Sequence, residues 1–80
     1  MKLYKDDAVE NNIHYVIDFT KYGEVTVLAQ NLENKKIKLA YYYADYNFRD
    51  GYKLDDIIEI YRILDEFIEE LKNEKRDSNT

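Results

Sequence analysis

The chain has 80 residues, nine of them tyrosine, and contains no cysteine, proline or tryptophan. Disulfides and thiolate metal sites are therefore excluded, and one core of aliphatic and aromatic side chains has to stabilise the fold. The net charge of −5 lies entirely in residues 55–80, because the acidic and basic side chains of residues 1–54 balance, and this argues against direct binding to nucleic acid.

Residues 1–12 carry the weakest structural signal. The stretch MKLYK (1–5) is compatible with a short edge strand, and DDAVENN (6–12) with a loop or a helical turn. Two acidic residues occur by position 7 and no apolar segment precedes them, so the start does not resemble a signal peptide. We expect a cytoplasmic protein that does not associate with a membrane.

Two strands joined by a tight turn are predicted for residues 13–30. IHYVIDFT (13–20) alternates in the manner of a half-buried strand, and EVTVLAQ (24–30) follows closely enough to form a hairpin. A three-residue loop at 21–23 puts Gly23 in the left-handed conformation that glycine tolerates. This register brings the following side chains to one buried face: Tyr15, Ile17, Phe19, Val25, Val27 and Ala29.

A third strand is predicted for KIKLAYYYA (36–44). An odd-length loop through Asn31–Lys35 keeps the buried face continuous with the hairpin, and asparagine suits such turns. The side chains expected to be buried are then Ile37, Leu39, Tyr41 and Tyr43. Those expected on the opposite, outer face are Lys38, Ala40, Tyr42 and Ala44.

A helix is predicted from Asp56 to Glu74, with Asp56 and Glu59 spaced as a capping box. Apolar residues recur at helical spacing and form one stripe: Ile57, Ile60, Tyr61, Leu64, Phe67, Ile68 and Leu71. The fold class is therefore α+β, a three-stranded antiparallel meander with one C-terminal helix on one face, and a fourth, N-terminal edge strand is left open. We expect a single domain over residues 1–76 and a frayed tail at 77–80.

Catalytic residues are not evident, and we expect no enzyme activity. The single histidine, His14, is separated from Asp18 by about 13 Å along a strand, which is too far for a dyad. The only serine is Ser78 in the tail, so a serine or cysteine triad is excluded.

The segment DYNFRDGYKLDD matches an EF-hand calcium loop only in part, with Asp45, Asn47 and Asp56 at positions one, three and twelve. Arg49 stands where an oxygen ligand belongs, and Asp50 where the loop needs glycine. Acidic pairs on the helix point about 100° apart and do not converge on one ion. We therefore expect no metal and no cofactor.

The outer face of the sheet is the first candidate binding surface. One helix can cover only one face of the sheet, which leaves Val16, Leu28 and Tyr42 outside, and tyrosine is a frequent interface residue. Nearby rings that could extend this surface are Tyr46, Phe48 and Tyr52. The alternative is that the N-terminal segment, through Leu3, Tyr4 and Val9, folds over the same face.

The acidic helix is the second candidate binding surface. Four carboxylates cluster on it: Asp65, Glu66, Glu69 and Glu70. Such a cluster could select a basic partner or act as a DNA mimic. The helix carries several times less charge per unit length than duplex DNA, which has one charge per ~1.7 Å. The alternative is an ordinary solvated helix face.

These features favour a non-catalytic protein-binding module. Abundant lysine, asparagine, isoleucine and tyrosine indicate AT-rich codons, so we expect a phage- or mobile-element-type inhibitor of a host defence or nucleic-acid-processing protein. The partner is an unidentified protein, and a homodimer is expected. The alternative function is a structural or regulatory homo-oligomer that uses the outer sheet face as its interface.

Overall fold

The computed structural model describes the backbone of residues 2–77 and the side chains of residues 2–73. Four strands, β1 (Asp7–Glu10), β2 (Ile13–Phe19), β3 (Glu24–Asn31) and β4 (Ile37–Tyr43), form an antiparallel sheet in sequence order. One helix, α1 (Leu54–Asp77), packs on the sheet. The predicted α+β class is confirmed, and a fourth strand is present. It is formed by residues 7–10, not by the MKLYK stretch, and residues 78–80 of the predicted tail lie outside the described residues.

The β2–β3 hairpin confirms the predicted register. The backbone N–H of Thr20 donates to the carbonyl of Glu24 at 3.3 Å, which closes a three-residue loop at 21–23. Gly23 has a φ of +84°, the left-handed conformation that this loop requires. Ile17 therefore lies opposite Val27, and both side chains are buried.

The β3–β4 connection differs from the prediction and inverts the faces of β4. The backbone N–H of Asn31 donates to the carbonyl of Lys36 at 2.9 Å, so the loop is the four-residue segment 32–35, with Lys35 at a φ of +68°. The buried side chain of Asn31 accepts hydrogen bonds from the backbone N–H groups of Glu33 and Asn34. Because this loop has even length, every side chain of β4 points to the face opposite from the one expected.

The inversion moves four side chains expected in the core onto the outer face. Leu39 is 48% exposed and Tyr43 76%, and Ile37 and Tyr41 lie between these values. The predicted burial of these four residues is therefore wrong. Lys38, Ala40 and Tyr42 point instead to the face that α1 covers, and Tyr42 packs against the core.

The core lies between α1 and the inner face of β2 and β3. Its sheet side chains are Ile13, Tyr15, Ile17, Val25, Val27 and Ala29, and its helix side chains are Ile60, Leu64 and Leu71. The rest of the predicted helix stripe is partly buried, so the periodicity is confirmed. The helix begins two residues before Asp56, with the carbonyl of Lys53 accepting the Ile57 N–H. Asp56 thus lies within the first turn, and the predicted capping box is wrong.

The N-terminal segment folds onto the inner side of the molecule. The Tyr4 ring is buried edge-on against Tyr15 and Tyr61, with ring centroids 5.2 Å and 5.6 Å away. Its hydroxyl donates to the carboxylate of Asp65 on α1. Leu3 is 74% exposed, and Val9 lies in β1 itself. The alternative in which the N-terminal segment folds over the outer sheet face is therefore wrong.

Alanine substitutions at the two glycines with positive φ test the importance of the hairpin turn. A β-carbon at Gly23 would lie 2.7 Å from Cβ of Tyr46, whereas one at Gly51, with a φ of +73°, would meet nothing within 4 Å. Both changes cost about 1–2 kcal/mol in backbone strain, and Gly23→Ala adds about 1–3 kcal/mol of steric overlap. We expect urea denaturation to show a larger loss of unfolding free energy for Gly23→Ala. Equal losses would contradict this packing.

Candidate functional site

The outer sheet face carries a continuous apolar surface. Val16, Leu28 and Leu39 are cross-strand neighbours in β2, β3 and β4. Tyr41 and Tyr43 follow on β4 opposite Thr26 and Glu24, and Ile37 lies opposite Gln30. We call this set the apolar patch: Val16, Leu28, Ile37, Leu39, Tyr41 and Tyr43. None of these side chains is fully buried, so the patch is available to a binding partner.

Carboxylates border the apolar patch. Asp7, Asp18 and Glu24 point to the same face from β1, β2 and β3. His14 lies among them and shares a 2.7 Å hydrogen bond between its Nε2 and Oδ1 of Asp7. No lysine or arginine occupies an outward position of the four strands. The face therefore combines an apolar centre with an acidic rim.

Two of the six residues predicted for the sheet surface lie in this patch. Val16 and Leu28 are directly opposite one another, as expected. Tyr42 is on the other face, where its hydroxyl donates to Oδ1 of Asp56 at 2.6 Å. This hydrogen bond, together with partial burial and the negative charge of Asp56, raises the pKa of Tyr42 to about 12. The expectation that Tyr42 lies on the outer face is wrong.

Tyr46 and Tyr52 stabilise one end of the fold. The Tyr52 ring contacts Phe19 edge-on at 5.1 Å and Tyr46 at 4.7 Å, and its hydroxyl donates to the carbonyl of Thr20. Phe19 points to the inner face, so these rings close the core beside the β2–β3 turn. They do not extend the outer surface.

Phe48 is exposed at the tip of a tight turn. The turn is closed by the Gly51 N–H donating to the carbonyl of Asn47 at 2.7 Å, and Phe48 is 80% exposed. An open cleft of about 460 Å³ lies beside it, lined by Lys21, Tyr46, Asn47, Phe48 and Arg49. The cleft lies at the Lys21–Gly23 end of the sheet and is separate from the apolar patch.

The four predicted helix carboxylates are largely engaged within the chain. Asp65 accepts the hydrogen bond of Tyr4, Glu66 pairs with Arg62 at 2.6 Å, and Glu70 lies 3.5 Å from the ammonium of Lys38. Glu69 is exposed. These contacts lower the charge that the cluster presents to another molecule, which weakens the DNA-mimic interpretation.

The residues that match the EF-hand pattern contact other groups of the chain. Asp45 pairs with Lys53 at 2.5 Å, and the hydrogen bond from Lys53 lowers the pKa of this carboxyl group. The amide oxygen of Asn47 accepts the Arg49 N–H at 2.8 Å, and Asp56 binds Tyr42. Over residues 2–73, no group of three or more His, Cys, Asp or Glu side chains is placed to hold a metal ion.

Comparison of the chain with known protein families, with characterised proteins and with solved structures finds no match. Within the described part of the chain, no helix has the length and apolar character needed to cross a membrane. The candidate site is therefore defined by the geometry alone. The sequence pattern missed four residues of the apolar patch because it assigned them to the core: Ile37, Leu39, Tyr41 and Tyr43.

Removing single tyrosine hydroxyls on β4 tests which face each ring occupies. Tyr42→Phe deletes the hydrogen bond to the Asp56 carboxylate, and we expect it to lower the unfolding free energy by about 1–3 kcal/mol. Tyr41→Phe is the matched control on the exposed face and should change stability by less than about 0.5 kcal/mol. Chemical denaturation checks both values, and the reverse order would contradict the β4 register.

The raised pKa of Tyr42 also predicts a pH dependence. The folded state holds this proton up to about pH 12, whereas the unfolded chain loses it near the ordinary value of 10.0. The stability contributed by the hydroxyl is therefore present below pH 10 and is lost as the pH rises from 10 toward 12. We expect the stability difference between the natural chain and Tyr42→Phe to shrink across this interval in denaturation at successive pH values. A constant difference would contradict the assignment.

Proposed function

We propose that the chain is a non-catalytic protein-binding module that uses the outer sheet face to contact a partner protein. The observation that carries this proposal is the apolar patch, which no described segment of the chain covers. The helix and the N-terminal segment both pack on the inner side. The sheet therefore has one face for its own core and one face free for binding.

The composition of the apolar patch suits a protein interface. Leu39, Tyr41 and Tyr43 protrude side by side from one strand, and tyrosine provides a large contact area at low cost in side-chain entropy. Val16 and Leu28 are half-buried on the neighbouring strands β2 and β3, where they form the centre of the patch. Interfaces characteristically combine an apolar centre of this kind with a polar rim.

The acidic rim indicates a partner whose complementary surface is apolar at its centre and bordered by lysine or arginine. Asp7, Asp18 and Glu24 would meet these cations, and such pairing directs association and selects the partner. Two copies of this chain stacked face to face would bring acidic rims together. The charge pattern therefore favours a different protein over the homo-oligomer that uses the outer face as its interface.

A basic surface is also what nucleic-acid-processing proteins use to bind their substrate. We therefore propose that the module inhibits such a protein, or a defence protein, of a bacterial host, in the manner of a phage or mobile-element accessory protein. The acidity of the rim and the AT-rich codon usage implied by the composition support this proposal.

Two matched lysine substitutions test the binding face. Leu28→Lys places a cation at the centre of the apolar patch, and Ile58→Lys places the same cation on the 41% exposed helix position Ile58. The immobilised chain is first used to isolate a binding protein from a low-GC bacterial lysate, and affinities are then measured with that purified protein. We expect Leu28→Lys to weaken binding at least about tenfold and Ile58→Lys to leave it within about twofold.

Salt dependence provides the electrostatic test. If the rim meets basic side chains, the affinity falls as ionic strength rises, and Asp18→Asn with Glu24→Gln reduces this dependence. The proposal is overturned if no protein is retained by the natural chain, or if Leu28→Lys and Ile58→Lys retain the same protein equally well.

A further inference from the structure

Strand β4 is an edge of the sheet, and its orientation identifies the backbone groups that point outward. The N–H of Ala44 donates to the carbonyl of Gly23 at 2.8 Å, and the carbonyl of Lys36 accepts from Asn31, so even-numbered residues direct both groups toward β3. The odd-numbered residues therefore direct theirs away from the sheet. These residues are Ile37, Leu39, Tyr41 and Tyr43, and no described residue accepts or donates a hydrogen bond at their outward backbone groups.

The two edges of the sheet differ in their capacity to pair with another strand. β1 has only four residues, and Asp7 and Glu10 place a carboxylate at each of its ends. Short, charged edges of this kind resist pairing. β4 has seven residues, no proline and one charged side chain, Lys38, which points to the inner face. The sequence protects one edge and leaves the other open.

We propose that two copies of this chain dimerise by antiparallel pairing of β4 with β4 of the second copy. A twofold axis at Ala40 places Leu39 opposite Tyr41 of the second copy and Ile37 opposite Tyr43 of the second copy. Each of these pairs exchanges two backbone hydrogen bonds. This register therefore uses the outward N–H and C=O groups of all four odd-numbered residues, whereas a shift by two positions leaves one residue of each strand unpaired.

The side chains of β4 are compatible with the same register. Ala40 lies opposite Ala40 of the second copy, where the close approach of a non-hydrogen-bonded pair favours a small residue. Lys38 lies opposite Tyr42 of the second copy, so like charges do not meet. On the outer face the pairs join an aliphatic and an aromatic side chain, a combination that stabilises sheets.

The position of α1 leaves room for the second copy. The helix lies mainly over β3, so the two helices of the dimer would be separated by about three strand spacings, roughly 14 Å. A helix with its side chains is about 10–12 Å across, so the two copies fit. The product is one continuous sheet of eight strands, four from each copy.

Dimerisation of this kind is independent of the proposed function, because it uses the backbone edge of β4 and leaves the outer face open. It would nevertheless join the two apolar patches into one surface, since Leu39 and Tyr41 lie next to the twofold axis. A partner protein with a matching twofold axis could then contact both copies at once.

Two substitutions at Tyr41 separate the contribution of its backbone N–H to dimerisation from the contribution of its ring. Tyr41→Pro removes an outward N–H that makes no bond within the chain, and proline is tolerated at such edge positions. Tyr41→Thr removes the ring and keeps the N–H. By light scattering at about 100 μM, we expect the natural chain and Tyr41→Thr to have about twice the 9.7 kDa chain mass, and Tyr41→Pro to be monomeric with an unchanged circular dichroism spectrum.

Several results would overturn the proposal: a monomeric natural chain at this concentration, a folded Tyr41→Pro dimer, or loss of the dimer in Tyr41→Thr as well.

Hydrogen exchange of the natural chain gives a test that needs no folded variant. The amides of Ile37, Leu39, Tyr41 and Tyr43 should become more protected as protein concentration rises. Unprotected exchange at a concentration where the chain is dimeric would exclude this edge as the interface. Leu28→Lys, which alters only the face, should remain dimeric even if it no longer binds the partner protein.

Discussion

The hydrogen bonds around Asn31 determine which side of β4 faces the core. The Asn31 backbone pairs with Lys36, and its buried side chain holds the backbone of residues 33 and 34 in a four-residue loop. That loop length fixes the register of β3 against β4. It turns Tyr42 toward Asp56 on the helix and leaves Leu39 and Tyr41 on the outer face, so both proposed contact surfaces depend on it.

Sequence periodicity predicted the β2–β3 hairpin and the helix because the apolar side chains of each element fall on one face only. In β2 the residues Ile13, Tyr15 and Ile17 alternate with His14 and Asp18, and only one orientation buries the apolar set. The pattern of β4 does not distinguish its two faces, since IKLAYYY has apolar or aromatic side chains at both its odd and its even positions. The only charged residue of the strand, Lys38, then gave a misleading signal. Its stem lies along the inner face and its ammonium reaches Glu70, a contact between residues distant in sequence.

Several of the nine tyrosines suit the boundary of a small core. A single helix on a four-stranded sheet leaves most of the core close to its boundary, where a ring can be buried while its hydroxyl reaches a polar group. Tyr4 donates to Asp65, Tyr42 to Asp56, and Tyr52 to the carbonyl of Thr20. Two of these bonds join the sheet side of the molecule to carboxylates of α1. Part of the helix acidity therefore serves the fold.

Limited nitration of the tyrosines, followed by peptide mass spectrometry, tests the β4 register most directly. Tyr22, which is 73% exposed in the hairpin loop, provides an internal reference for a fully reactive ring. We expect Tyr41 and Tyr43 to be modified at about the rate of Tyr22, and Tyr42 to be protected by its contact with Asp56. Rapid modification of Tyr42 together with protection of Tyr41 and Tyr43 would show that β4 has the opposite orientation, and the outer apolar patch would not exist.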